Sequence, residues 1–221
     1  SERINGINVT VPFKKSVIPF LDQLTLIAKE AKSVNTIFKK NNKIVGDNTD
    51  IGGFEYGLKH INYDVKNKKV FILGAGGVVP SIILALKKLG VSKISLSNRT
   101  KEKAENLKKS FPQLELVDWG DTKNFDMIVN TTSLGLKKND KIPINYDQIG
   151  LGKFFYDVIY NPKKTNFLLE AEKRGHQIEN GKMMFAYQAQ EAFRLWTIDH
   201  NVSTGLVPPI NKKVLQILEN D

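Results

Sequence analysis

Polar and apolar positions alternate between two periods along this chain, and the switches divide it into elements. An apolar strand ends near Val11. Val17, Phe20, Leu21, Leu24, Ile27, Ala28 and Ala31 then recur at helical spacing, which predicts a helix up to Lys32. The stretch "VNTIFKKNNKIVGDN" reads as two short strands around a Lys-Asn-Asn turn, and a helix is predicted from about Asp50 to Ile61. From Lys69 the order becomes strand, helix, strand, helix: "KVFIL", "PSIILALKKLG", "KISLS", "KEKAENLKKSF", "LELV", "FDMIVN" and "FFYDVIY". Short, continuously apolar strands separated by amphipathic helices predict a parallel sheet covered on both faces. The closing segments "KMMFAYQAQEAFRLWTI" and "NKKVLQILEN" read as helices.

Composition narrows the classes of function. With 221 residues, 41% apolar and 25% charged, the chain can bury a substantial core in one large or two smaller domains. It has no cysteine, which excludes disulfides, thiolate metal sites and a cysteine nucleophile. Its histidines, His60, His176 and His200, are too scattered for metal-ligand spacing, so no metal site is expected. The +10 net charge is the excess of 33 Lys and Arg over 23 Asp and Glu, and lysine pairs such as Lys39–Lys40 and Lys212–Lys213 are spread along the whole sequence. A phosphate-backbone track needs clustered cations, so nucleic acid is not an expected partner, whereas small anionic ligands are. No apolar run approaches bilayer length and no basic-then-apolar leader opens the chain, so no membrane association and a cytoplasmic location are expected.

"VFILGAGGVVPSIILAL" is a strand, a glycine turn and a helix. Gly74 and Gly76 stand where a sharp turn calls for positive φ and where backbone approaches a ligand, and Pro80 suits a first helical turn. The helix N-terminus then offers unpaired N–H groups to a diphosphate. Val79 occupies the third glycine position of the dinucleotide fingerprint, and Gly77 comes early. After the next strand, an NAD binder places a carboxylate to grip the ribose 2′-hydroxyl. This chain has Asn98, Arg99, Thr100 and Lys103 there, which favours the 2′-phosphate of NADP.

In order along the chain, "NVTVPFK", "VNT", "GDNTD", "GAGG", "NRT", "NTTSLGL", "YDVIYNPKKT" and "MMFAYQAQEAF" resemble the motifs of shikimate dehydrogenases. Each is weak alone, and together they span nearly the whole chain. The resemblance implies an α/β protein with a Rossmann-like, doubly wound NADP domain, a smaller α/β substrate domain and a cleft between them. It implies reduction of 3-dehydroshikimate to shikimate with NADPH, in aromatic amino acid biosynthesis. By resemblance, the catalytic pair is Lys14 and Asp50, and the substrate contacts are Asn8, Thr10, Asn35, Tyr160 and Gln188. The cofactor contacts are Gly74, Ala75, Gly76, Gly77, Asn98, Arg99, Thr100, Lys103, Thr131, Thr132, Ser133, Val158, Gly181 and Met184. The family pattern opens with a strand and a Ser-x-Ser followed by proline. Nothing of the kind precedes Gly6, so an opening segment of such an enzyme is expected to be absent here.

Hydride delivery to a ketone builds negative charge on its oxygen, which a cation or acid stabilises. Lys14 is the expected donor, with Asp50 orienting it. Read from the residues alone, other assignments stay open. Neighbours on an extended chain point to opposite faces, so Lys15 is an equal candidate, and Asp50 at a helix start is an ordinary cap. Asn35 reads equally as a turn polar, Tyr160 as a core aromatic and Gln188 as a surface amide. The chain order predicts a substrate domain over 1–49, an NADP domain over 50–181, and C-terminal helices over 182–221 returning to the first. A broader quinate/shikimate dehydrogenase and a non-catalytic dinucleotide-binding module are the rival functions, and a homodimer is the candidate assembly.

Overall fold

The computed structural model describes residues 4–197 together with 214, 216 and 217, so most of the closing segment read as a helix at 211–220 lies outside the described residues. The chain divides into two compact units. One comprises 1–62, 80–85 and 183–221, and the other 63–79 and 86–182. Among the described residues, no helix is long and apolar enough to cross a membrane.

The first unit is built on a four-stranded sheet in the order β1-β3-β4-β2. Strand β1 (Gly6–Asn8) pairs antiparallel with β3 (Thr36–Lys40), which forms the expected hairpin with β4 (Lys43–Asp47). The helix predicted from Val17 to Lys32 is not formed as one piece. Pro19 lacks an N–H, only a short 3-10 turn spans Ile18–Phe20, and β2 (Gln23–Leu24) pairs in parallel with β4. Asp22 fixes that pairing: its N–H donates to Ile44 O at 3.0 Å and its carboxylate accepts from Ile44 N at 2.7 Å. Only then does α1 (Leu26–Ala31) begin, with Thr25 accepting from Ala28 N and Lys32 closing the helix in the left-handed conformation. Ala28, Val34 and Ile37 form one apolar cluster of this unit, with Leu21 and Leu24 packed against it.

Helix α2 (Asp50–His60) and helix α6 (Lys182–Thr197) meet within the same unit. Gly53 makes the crossing close, because a Cβ there would lie 2.7 Å from Met184 O and 2.8 Å from Gln188 Cβ. The Trp196 indole N–H donates to Thr36 Oγ1 at 2.8 Å, tying the far end of α6 to β3.

The second unit carries a six-stranded sheet in the order β10-β9-β8-β5-β6-β7, parallel throughout. Its strands are β5 (Lys69–Leu73), β6 (Lys93–Ser97), β7 (Glu115–Val117), β8 (Met127–Asn130), β9 (Phe154–Asp157) and β10 (Gln177–Asn180). Helices α3 (Val79–Lys88) and α4 (Lys101–Ser110) follow β5 and β6. Helix α5 (Asn166–Lys173) and β10 are elements that the reading of the sequence does not include, although Thr165 caps the helix and Gly175 follows it at positive φ. The chain winds outward from β5 to β7, then returns to the other side of β5 with β8. This is a doubly wound sheet, whose switch point lies at the carboxyl ends of β5 and β8. Phe155 centres the core, with the rings of Phe125, Tyr146, Phe167 and His176 all within 6.0 Å of its centroid.

One core group is a carboxylate. Asp157 has no solvent exposure and accepts from Thr165 Oγ1 at 2.6 Å, Asn130 Nδ2 at 3.0 Å and Ile159 N at 3.0 Å. Burial outweighs these bonds and raises its pKa from 3.8 to about 6. The folded state therefore binds the proton more tightly than the unfolded chain does. Stability contributed by the protonated form is complete below about pH 4 and is lost as pH rises through about 6, a difference of about 3 kcal/mol. Asp157→Asn keeps the acceptor oxygen and removes the titration. Urea unfolding across pH 4 to 7 is expected to show a fall in wild-type stability that the variant lacks; parallel curves would refute it.

Candidate active site and nucleotide pocket

Lys14 does not lie on an extended strand. Residues 10–17 turn back on themselves, with Phe13 N bonded to Thr10 O and Val17 N to Phe13 O, and the Lys14 carbonyl accepts from Val34 N at 2.8 Å. The turn directs the Lys14 ammonium to Asp50 Oδ2 at 2.6 Å, with side-chain exposures of 12% and 8%. Lys15 is exposed, so the alternation argument does not operate here. Thr49 takes the cap position of α2. Asp50, its first helical residue, keeps its carboxylate for Lys14 and Asn35.

Asn35 organises the cluster. Its backbone is bonded on both sides, accepting from Val9 N and donating to Asp47 O, which fixes the side chain at the entrance to β3. Nδ2 donates to Asp50 Oδ1 at 2.9 Å and to Thr49 Oγ1 at 3.0 Å, and lies 3.3 Å from Gln188 Oε1. Oδ1 accepts from Thr49 N at 2.7 Å. Lys14, Asp50, Asn35 and Gln188 therefore form one continuous polar network within the first unit, two of its links spanning 36 and 153 residues of chain. Thr49 and Asn48 belong to its support and were absent from the expected set. Asn48 donates to Ser33 O and accepts from Ser81 Oγ. Asn8 and Thr10 are exposed, on and just beyond β1. Met184 is buried on α6.

The second unit holds a cavity of about 240 Å³ at the switch point. Gly74, Ala75 and Gly76 line it after β5, and Thr131, Thr132 and Ser133 after β8. Asn98, Arg99, Thr100 and Lys103 line it after β6 and in the first turn of α4. Gly77 continues the same turn without lining the cavity. Gly74 has φ +109, and a Cβ there would lie 2.5 Å from Thr131 Oγ1, so this turn requires glycine. Gly76 has no positive φ, and a Cβ there would meet Thr131 O at an ordinary 3.8 Å, so the backbone turn itself does not require glycine at this position. Bonds between adjacent strand ends fix the floor: Gly74 N to Ser97 O, and Thr131 N and Oγ1 to Leu73 O. A glycine turn ahead of a helix N-terminus and two cations on one wall are the chemistry that a phosphorylated dinucleotide calls for.

The rim after β8 is shaped from beneath. Asn130 is buried, accepts from Thr132 N and Oγ1, and donates to Leu134 O and to Asp157. Backbone bonds from Gly135 and Lys137 hold the Asp140 carboxyl below its usual range and close the same loop. Of these supports only the Asn130–Asp157 bond crosses the sheet, and the others join residues two to five apart within the loop itself. Tyr160 is exposed, Val158 is half-buried, and the Val158 carbonyl stands where a Gly181 Cβ would be.

Two family models match the chain: the shikimate dehydrogenase substrate binding domain over residues 1–37, and shikimate / quinate 5-dehydrogenase over residues 57–134. The shikimate dehydrogenase (NADP(+)) of Pelagibacter ubique is 56% identical over 218 residues, which cover 99% of this chain and 80% of that protein. The crystal structure of shikimate dehydrogenase from Aquifex aeolicus superimposes with a TM-score of 0.85 at 41% identity, covering 98% of this chain and 77% of that one. The Thermus thermophilus shikimate 5-dehydrogenase, solved in complex with NADP(H) and shikimate, gives 0.85 at 29% identity over 99% and 79%. Glycine turn, basic cavity wall, ammonium–carboxylate pair and relatives agree: the chain belongs to the shikimate dehydrogenase family.

Proposed function

We propose that the chain reduces 3-dehydroshikimate to shikimate with NADPH, and runs the reverse reaction with NADP+. The observation that carries this reading is the Lys14–Asp50 contact inside a network that also holds Asn35 and Gln188, a cationic donor fixed among polar groups suited to a polyhydroxylated ring. NADPH, when bound, supplies the hydride. Gly74 to Gly77 and Thr131 to Ser133 hold the diphosphate side, while Arg99 and Lys103, with Asn98 and Thr100, hold the phosphorylated ribose. Val158, Gly181 and Met184 belong to the nicotinamide side of the same proposal. Cytoplasmic location and a homodimer are part of it too; the pathway served supports the first, and sedimentation reads the second.

In the reducing direction Lys14 Nζ donates to the substrate carbonyl oxygen, stabilising the charge that builds there and passing on a proton as the alcohol forms. Asp50 Oδ2, 2.6 Å from Nζ, aims the ammonium. Asn8, Thr10, Asn35, Tyr160 and Gln188 hold the ring hydroxyls and fix which carbonyl faces Lys14.

Assay of NADP+ reduction with shikimate tests the reaction itself. Turnover is expected, and binding of NADP+ without turnover would favour a non-catalytic dinucleotide module. The family description that names quinate as well as shikimate gives the broader enzyme its support, and quinate turnover with NAD+ at comparable rates would establish it. Lys14→Ala is expected to lower kcat about a hundredfold to ten-thousandfold with cofactor affinity little changed, checked beside a thermal melt. Equal damage to both quantities would contradict the division of roles, and a Lys14→Arg enzyme near the wild-type rate would reduce the role to charge alone. Arg99→Ala is expected to raise KM for NADP+ about ten- to a hundredfold and to leave NAD+ affinity nearly unchanged, read by parallel titrations with the two cofactors.

A further inference from the structure

The nucleotide pocket has a wall that the phosphate- and glycine-bearing motifs do not account for. Trp119 lines the cavity beside Arg99 and Thr100, and among the described residues it is the one aromatic side chain that does so. It sits just past the carboxyl end of β7, next to the β6 exit that carries Asn98 and Arg99. The position is fixed. Ser97 Oγ donates to Asp118 O at 3.1 Å, joining the two strand exits, and Asp121 N donates to Asp118 O at 3.1 Å, closing a turn over Trp119 and Gly120. Gly120 has φ +102, so the chain reverses immediately after the indole. The ring is half-buried against the apolar cluster of Val117 and Phe125, leaving part of its surface for the cavity.

Chemistry separates this wall from the rest. Arg99, Lys103, Asn98 and Thr100 are suited to phosphate and ribose oxygens, and the glycine turn to a diphosphate. A purine ring needs a flat apolar surface, and base–aromatic stacking supplies binding without a hydrogen-bond code. We propose that the Trp119 indole stacks on the adenine of NADP(H), anchoring the cofactor's remote end and leaving the hydride-transfer step untouched. The inference rests on the reading of this cavity as the NADP(H) site and adds the residue that holds its base.

The test uses adenosine 2′,5′-bisphosphate, which has the base and the 2′-phosphate but no nicotinamide. Titrated into the wild-type chain, it is expected to quench tryptophan fluorescence saturably, in competition with NADP+, and the same quench is expected to vanish in Trp119→Phe, which retains Trp196. Trp119→Leu is expected to raise KM for NADP+ about fivefold to a hundredfold with kcat within about twofold, and Trp119→Phe, which keeps an aromatic plate and most of the packing, to recover part of that loss. Quenching that persists in Trp119→Phe, no quenching in the wild type, or a Trp119→Leu enzyme with unchanged KM overturns the inference. A chain that fails to turn over shikimate yet shows the Trp119-dependent quench refutes the proposed reaction and upholds the base site. One that turns over shikimate with an indifferent Trp119 does the reverse.

Discussion

The ammonium of Lys14 and the carboxylate of Asp50 are held 2.6 Å apart with little exposure, and the first unit is arranged around making that contact tolerable. Withdrawing two charges from water is unfavourable, and attraction between them offsets it only when geometry is good and the remaining lone pairs are bonded. Asn35 supplies the missing bond to Asp50 Oδ1, and Thr49 holds Asn35 in turn. The rigidity traces back to backbone: Asn35 is pinned between Val9 and Asp47, and Lys14 hangs from a turn whose carbonyl is tied to Val34. A flexible four-carbon side chain is thereby given one direction. Losing either charge would leave the other partly buried and unpaired, which is why the pair behaves as a unit.

In the second unit the equivalent constraint is steric. At Gly74 the backbone must turn with φ +109 within reach of the Thr131 side chain, and the strand ends it joins are bonded to one another. That closeness creates the cavity floor. The walls need different chemistry on each side of the switch point: hydroxyl and backbone groups after β8, cations after β6, an indole after β7. The proposed preference of the pocket for a phosphorylated nucleotide would thus lie in which strand exit carries which side chain. Asn130 and Asp157 lie beneath the β8 exit and set the loop's shape. They are out of reach of solvent.

What the amino-acid order revealed follows the range of the interactions concerned. The glycine turn and the Arg99–Lys103 stretch are local, each set by a few consecutive residues after a strand, and they were legible. The parallel sheet was legible for the same reason, since short strands such as "KVFIL" alternate along the chain with amphipathic helices. The pairing of β2 with β4 was not, because a helical period in residues 17–32 was overridden by Asp22 bonding to Ile44 across the sheet. Asn35 entered the expected set through family resemblance alone. Its bonds to Asp50 and Gln188 span 15 and 153 residues, and no spacing rule reaches so far. Trp119 was missed because its place beside Arg99 depends on the register of β6 against β7, Ser97 opposite Val117.

The proposed function divides binding and chemistry between the two units, and that division has an energetic logic. Interactions with parts of the cofactor that do not react are equal in ground and transition states. They set affinity and leave the barrier alone. In the proposed reading Arg99, Lys103 and Trp119, placed at the adenosine end, are of that kind. Lys14 would differ, because the oxygen it is proposed to serve becomes more negative as the reaction proceeds, so its interaction would strengthen along the path. A buried carboxylate partner sharpens the contrast: Asp50 fixes the donor before substrate arrives, so little reorganisation is left for the moment of hydride transfer. The unit with the more exposed, strongly basic pocket can therefore change its cofactor preference through single side chains, whereas the ammonium site tolerates little change without loss of rate.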